Sequence, residues 1–407
     1  MFSADFVLDV LDCVPDAIVD GGWAVDAVIG RVTRVHDDLD LVLPAARVES
    51  AVAALMPLGF TERIDEPPAR VVLATPYDQR VDIHIVTPTE RGMVQLIAGG
   101  GQFTYALHGE GTILGRTVRC LSPGTQVITH SMYEPDAHDV ADMRALAEAT
   151  GEALGPPYVR PTGREPLRDA TAADAAAFCA VRHRAWQEAY AGLMPARVLT
   201  EMDIGAAYAG WWPFLRLRPS RRHSAIVAGK TGTVVGLAVS GPTRDEDLDR
   251  SINGELNLLY VDPTAKGLGL GKRLLVAAMD RLRENGFEDL RLWVLQANAH
   301  ARSFYERNGW RSRADRLRCR NSRRARAAQC RTSSVSTSAP PSRRLRSPRV
   351  ASSRCSNSAL ALHRFRRSWP CAKAARCSSA KRPSDARSRS RIALRASSSV
   401  GSVIPPH

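Results

Sequence analysis

Apolar and polar positions along the 407 residues follow two periods. Phe6, Val7, Val10 and Leu11 recur at helical spacing. Ala17–Val19 is a short apolar run that ends at Gly21-Gly22 and reads as a strand. Asp38 to Leu43 alternates charged and apolar residues, as a half-buried strand does, and Arg80 to Val86 alternates again. Residues 48–58 read as a helix with Gly59 at its C-terminal cap, and His138 to Ala149 is helical. The run GEALGPPYVRPTGREP is rich in Gly and Pro and reads as a linker. The pattern therefore predicts a first domain over residues 1–150, a linker over 151–165 and a second domain over 166–310.

In the second domain Leu167–Ala170 starts a strand. Asp174 to Tyr190 and Pro195 to Tyr208 are two amphipathic helices, and strands follow near 224–229, 233–240 and 254–261. A helix spans 271–285, Leu290–Gln296 is a strand, and Asn298–Asn308 is a helix with Gly309 just past its end. After Trp310 no period is sustained.

Charge sharpens that boundary. The formal net charge of +14 is unevenly spread. Residues 1–310 hold 31 Lys and Arg against 40 Asp and Glu, and residues 311–407 hold 25 against 2. The body is acidic, which favours a cationic small-molecule substrate and argues against specific nucleic-acid binding. The tail has 23 Arg but only two Lys, with many Ser. One reading is a disordered basic tail that binds acidic partners. The preferred reading is a frame-shifted segment, because Arg, Ser, Ala, Pro and Cys together are what GC-rich DNA encodes out of frame.

Cys13, Cys120 and Cys179 lack metal-ligand spacing and sit among apolar neighbours, as buried thiols in a reducing compartment do. The chain has no 18-residue apolar run, and its N-terminus is acidic. A cytoplasmic protein without membrane span or signal peptide is the expectation. Oligomeric state is not legible.

Candidate chemistry gathers at two places. Asp38 and Asp40, two apart on a strand, share one face and can hold paired Mg²⁺ ions about 3.5–4 Å apart. Asp82, on the strand RVDIHIV, is expected to complete that metal site, to act as base on an acceptor hydroxyl, or both. Gly21 and Gly22 let backbone N–H groups approach phosphate, and Arg34 suits a triphosphate contact. His36, His84 and Asp26 divide between direct and structural roles. The run GGWAVDAVIGRVTRVHDDLDLVL, with RVDIHIV, GTILGRTVRCLSP and HDVADMRAL, resembles the aminoglycoside and lincosamide nucleotidyltransferases of the polymerase-β superfamily, the aminoglycoside-2″-adenylyltransferase-like group in particular. The resemblance implies transfer of a nucleoside monophosphate from ATP or another NTP to a small-molecule hydroxyl. It matches Asp38 and Asp40 to the metal pair and Asp82 to the third carboxylate.

The second place is the strand end Val261-Asp262-Pro263, then Lys266-Gly267-Leu268-Gly269-Leu270-Gly271 and the helix KRLLVAAMDRLRE. Three glycines at the positive end of a helix dipole make a pyrophosphate site. With NAHARSFYERNGW downstream and AWQEAYAGLMP upstream, the run resembles the GNAT-type N-acetyltransferases over residues 166–310. The resemblance implies that acetyl-CoA lies along Val261 and the loop Gly267, Gly269, Gly271 and Lys272. It also implies that Asn298 contacts the cofactor and that Tyr305 protonates the departing thiolate. Glu255, on the central strand, is the expected base on the amine. Lys266 departs mildly from the family pattern, and the family's last strands have no counterpart after Trp310.

The expected fold is therefore α/β (α+β). A polymerase-β-like nucleotidyltransferase fold precedes a GNAT fold that lacks its last strands, with a disordered basic tail over 311–407. The expected function is a bifunctional, antibiotic-type modifying enzyme. Three alternatives stay open: nucleotidyl transfer alone because the GNAT half is truncated, an RNA-binding or scaffold protein acting through the tail, and a toxin-antitoxin type nucleotidyltransferase.

Overall fold

In the computed structural model the described residues are 2–313, except 91, 98–99, 106–107 and 218–221, together with 362–368. The first half runs α1 (Ala4–Cys13), β1 (Ile18–Asp20), α2 (Gly21–Ile29), β2 (Asp38–Pro44), α3 (Ala45–Leu55), β3 (Thr61–Glu66), β4 (Arg70–Ala74), β5 (Arg80–Thr89), β6 (Gly92–Leu96), β7 (Gln102–Tyr105), β8 (His108–Ile113), β9 (Arg116–Leu121), α4 (Pro123–Thr129) and α5 (Ala137–Thr150). Its sheet has the order β3-β4-β5-β2-β1-β9-β8, with β6 beside β5 and β7 beside β6.

The alternation in β2 and β5 builds this sheet's two faces. Leu39, Leu41 and Leu43 of β2 and Val81, Ile83 and Ile85 of β5 join one apolar cluster with Val7, Val10 and Leu11 of α1 and Ala51 and Leu55 of α3. Each fully buried side chain of this kind contributes about 1.5–3 kcal/mol. The intervening residues, Asp38 and Asp40 on β2 and Asp82 and His84 on β5, fall on the opposite face. β2 and β5 are parallel, with Asp40 beside Asp82, and β1 is antiparallel to β2, with Asp20 beside Asp40.

The second half runs β10 (Leu167–Asp169), α6 (Ala175–Ala189), α7 (Ala196–Thr200), α8 (Ile204–Leu217), β11 (Ser224–Ala228), β12 (Gly236–Pro242), β13 (Asn253–Val261), α9 (Leu270–Glu284), β14 (Asp289–Leu295), α10 (Ala299–Arg307), β15 (Arg311–Arg313) and β16 (Leu362–Ser368). Strands β10 to β13 are successive antiparallel neighbours, and β14 joins β13 in parallel. The helix expected over 195–208 is two helices. The chain breaks at residues 201–203, and Asp203 accepts the Ala206 N–H at 2.8 Å to start α8.

Residues 151–165 are not a free tether. Ala153 and Leu154 are buried, and the Leu154 N–H donates to Gly232 O while Leu154 O accepts from the Val234 N–H. Buried backbone groups need such partners, so the run adds to the second half's own structure. The Tyr158 hydroxyl donates back to His130 O at 2.7 Å. One apolar cluster takes in Phe103, Tyr105, Val127 and Met143 from the first half and Phe178, Tyr208, Trp211 and Val227 from the second. The Tyr208 hydroxyl packs so closely on Gly124 that a Cβ there would lie 2.0 Å from it.

Among the described residues the chain divides into two compact units, one of residues up to Leu292 with Arg367 and Ser368, the other within Trp293–Arg366. Both sheets, as far as Leu292, belong to the first unit. In the second, α10 is followed by β15, which pairs antiparallel with β16 through Arg311–Arg366 and Arg313–Arg364. The tail was expected to hold no regular structure, and these short strands are the exception. A backbone ladder needs only N–H and C=O groups, which a composition poor in apolar residues still supplies. The rest of the tail lies outside the described residues. No helix among the described residues is long and apolar enough to cross a membrane.

Glu152, between the two halves, has a buried carboxylate oxygen without a hydrogen-bond partner. Burial, reinforced by Asp174, pushes its carboxyl up to about 7 from an ordinary 4.5. The native state therefore keeps a proton that the unfolded chain releases. Stability is full below pH 4.5 and falls as pH rises to about 7. Glu152→Gln is expected to flatten that slope and to gain roughly 1–3 kcal/mol at pH 8. Denaturant unfolding at pH 5 and pH 8 checks this, and an unchanged slope refutes it.

Candidate active sites

The first site is a row of carboxylates across three strands. Asp20, Asp40 and Asp82 occupy paired positions on β1, β2 and β5, so all three point to one face. One ligand atom each from Asp40, Asp82 and His84 lies within 4.8 Å of the others. His84 Nδ1 is 3.4 Å from Asp20 Oδ2, and its Nε2 is 3.8 Å from Asp82 Oδ1. Asp82 Oδ2 accepts from Arg70 Nη1 at 3.0 Å, while its Oδ1 is buried with no hydrogen-bond partner.

Charge is concentrated here. Burial raises the Asp40 carboxyl to about 7, and Asp38, Asp20 and Asp82 add to the rise while His84 opposes it. Burial would lower the His84 imidazole, yet Asp20, Asp40 and Asp82 raise it to about 9. Burial presses the Asp20 carboxyl upward, but His84 and the Gly21 N–H hold it below the ordinary carboxylate value. An unpartnered oxygen among crowded carboxylates fits a divalent cation.

The glycine pair faces this row. Gly21 opens α2 at φ +60°, and a Cβ there would lie 2.1 Å from Asp40 Oδ2. Only glycine allows the helix start to come this close. The Asp20 carboxylate accepts the Gly21 N–H at 2.7 Å and so caps α2. A Cβ on Gly22 would lie 2.5 Å from His36 Nδ1 and 2.7 Å from Arg34 Nη2.

The expected residues divide as follows. Asp40 and Asp82 come together. Asp38 lies on the same face but is exposed, opposite Arg80, and outside the close group. A two-residue step along a strand carries it roughly 6.6–7 Å toward solvent. His84, left open between a direct and a structural role, stands within the close group and beside Asp20. Arg34, expected on the triphosphate, is paired with Asp142 of α5 through Nε at 3.1 Å and Nη2 at 2.8 Å, beside Gly22. His36 and Asp26 are both buried and bonded to each other at 2.6 Å, and Asp26 also accepts the Thr33 N–H at 3.0 Å.

Asp20, Arg70 and Tyr105 have no place in the sequence reading. An Asp directly before a helix-opening glycine pair is an N-cap pattern that points to Asp20. Arg70 and Tyr105 carry no local signal, since strand pairing alone brings them to β5.

The second site lies on β13 and α9. Gly267 and Gly269 adopt φ +77° and +81°, and a Cβ on either would meet nothing within 4 Å. Gly269 begins α9 without a side-chain cap, Gly271 lies in its first turn, and Lys272 is exposed. The open loop and uncapped helix start fit a pyrophosphate. Val261 ends β13 opposite Gly236. Lys266 pairs with Glu188.

Glu255 departs from its expected role. It is 1 % exposed, and Arg244 holds Oε1 through Nε at 3.0 Å and Nη2 at 2.6 Å. Oε2 accepts the Arg244 N–H at 2.8 Å and the Thr243 hydroxyl at 3.3 Å. Both oxygens are engaged, so Glu255 presents no free base. In the unit beginning at Trp293, Asn298 caps α10 by accepting the Ala301 N–H at 3.0 Å. Tyr305 is half-buried between the Phe304 and Trp310 rings, with centroids 5.2 and 6.3 Å away.

Comparison with known proteins separates the two halves in the same way. Residues 6–146 match the aminoglycoside-2″-adenylyltransferase family model, and residues 185–310 match the acetyltransferase (GNAT) family model. A lincosamide resistance protein of Staphylococcus haemolyticus is 27% identical over 135 residues, 32% of this chain and 84% of that protein. A 2″-aminoglycoside nucleotidyltransferase of Klebsiella pneumoniae is 38% identical over 106 residues, 26% of this chain and 56% of that protein. A mycothiol acetyltransferase of Sanguibacter keddieii is 34% identical over 137 residues, 34% of this chain and 40% of that protein. The chain thus spans about half or less of the last two relatives. Residues 6–146 are thus similar to the aminoglycoside-2″-adenylyltransferases and residues 185–310 to the GNAT acetyltransferases, and with both matches in transferase families this chain is a transferase.

Proposed function

We propose that the first half transfers a nucleoside monophosphate from ATP or another NTP to a hydroxyl of a small cationic molecule of the aminoglycoside or lincosamide type. The observation that carries this reading is the unpartnered Asp82 Oδ1 in a row with Asp40 and Asp20. Asp40 and Asp82 would hold Mg²⁺, with His84 beside them and Asp38 at the solvent edge. The metal would supply charge neutralisation at the α-phosphate. Gly21 and Gly22 bring the start of α2 close against Asp40 and Arg34, beside where the triphosphate would lie, and Asp142 fixes the Arg34 guanidinium there. The acceptor oxygen attacks the α-phosphorus, the bond to pyrophosphate breaks, and the hydroxyl proton passes to Asp82. A cytoplasmic location suits an enzyme that uses NTP.

The second half is read as an N-acetyltransferase whose loop from Gly267 to Lys272 holds acetyl-CoA, the source of the acetyl group. Asn298 and Tyr305 are proposed for cofactor contact and thiolate protonation. The engagement of Glu255 by Arg244 favours a second reading, in which nucleotidyl transfer is the only activity.

Asp40→Asn and Asp82→Asn are each expected to cost at least about 10²–10³-fold in rate. Pyrophosphate release from Mg·ATP, with a panel of aminoglycosides and lincosamides, measures this; near-normal turnover in either variant removes the metal assignment. Gly269→Asp places a carboxylate against the pyrophosphate and is expected to abolish coenzyme A binding in calorimetry. Equal binding by variant and wild type refutes the loop assignment, and no binding by the wild type favours the second reading.

A further inference from the structure

The first half's hairpin β6–β7 branches from β5, off the main row of strands, and among the described residues β7 pairs only with β6. Its outer edge would leave N–H groups without partners. Asp203, from the second half, covers that edge. Its Oδ1 accepts the Thr104 N–H at 3.0 Å, and its Oδ2 accepts the Thr104 hydroxyl at 2.5 Å and Gln102 Nε2 at 3.1 Å. The same Oδ1 accepts the Ala206 N–H at the start of α8. One carboxylate thus caps a helix of the acetyltransferase half and ties down a strand of the nucleotidyltransferase half. Gly205 tightens the contact: a Cβ there would lie 2.0 Å from Thr104 O and 3.2 Å from the Phe103 ring.

The strand held in this way reaches the first site. Tyr105 follows Thr104 on β7 and is buried. Its hydroxyl donates to Gln95 Oε1 at 2.8 Å and stands 3.4 Å from His84 Nδ1. Gln95 in turn donates to Ala69 O at 3.2 Å, beside Arg70. His84 borders both Asp20 and Asp82. The Phe103 ring meets Tyr105 edge-on, with centroids 4.7 Å apart.

We propose that Asp203 is a positioning residue for nucleotidyl transfer: α8 of the acetyltransferase half fixes β7, and β7 sets Tyr105 against His84. The inference rests on the first-half reading above. It makes the second half a structural part of the first site, whether or not it transfers acetyl groups.

The test is Mn²⁺ binding by the full chain, followed by calorimetry with Mn²⁺ alone. Asp203→Ala and Tyr105→Phe are each expected to weaken Mn²⁺ binding by about 10-fold, the scale of outer-sphere losses at metal sites. The double variant is expected to lose no more than the weaker-binding single variant, because both act along one path. Asp203→Asn keeps a capping oxygen for α8 and so guards against failure to fold. It replaces one acceptor with a donor facing Thr104 and Gln102, and an intermediate loss is expected. Wild-type affinity in the folded variants, or losses that multiply in the double variant, overturns the inference alone. No Mn²⁺ uptake by the wild-type chain overturns the reading of the first site and the inference with it.

Discussion

Strand register is the constraint on which the first site depends. The Leu39, Leu41 and Leu43 face of β2 and the Val81, Ile83 and Ile85 face of β5 bury against α1 and α3. That burial forbids a slip of one residue, since a slip would turn every leucine toward the carboxylate face. Asp40 and Asp82 are therefore neighbours because their apolar neighbours must be. Burial raises the Asp40 carboxyl, and repulsion from the neighbouring carboxylates adds to the rise. His84 and Arg70 offset part of it. The remainder is a standing demand for positive charge, set by the core on the other side of the sheet.

Where one segment of chain contains the signal, the sequence discloses it. The alternation around Asp40 and Asp82 and the glycine loop at 267–271 are local, and each became the expected strand or helix start. Asp20 was within reach, since it directly precedes Gly21. Arg70 and Tyr105 were not: they meet β5 through pairing across strands, which no local period encodes. Glu255 shows the same limit in reverse. Its position on a strand suggested a base, but Arg244, 11 residues away in sequence, closes over it. The Gly- and Pro-rich run at 151–165 has a linker's composition, yet Ala153 and Leu154 are buried in the body.

The two carboxylate sites contrast in how charge is settled. Around Asp40 the carboxylates outnumber the cations in contact with them, and one oxygen of Asp82 is unbonded. Around Glu255 a guanidinium, a backbone N–H and a hydroxyl fill both oxygens. A buried ion pair of that kind is costly to break, because removing one partner strands the other. The first arrangement leaves charge unmet, and the second holds β13 to the loop that precedes it.

The shared apolar cluster has an evolutionary consequence. Two enzymes joined by a loose tether can each drift, be exchanged or be lost without altering the other. Here Phe103 and Tyr105 lie in the same core as Phe178 and Trp211. A change selected in α8 for one reaction is therefore screened at once by the other. A recombination joint placed in the run at 151–165 would expose aromatic side chains on both new ends. Packing alone thus couples the two halves, whichever of them carries an activity.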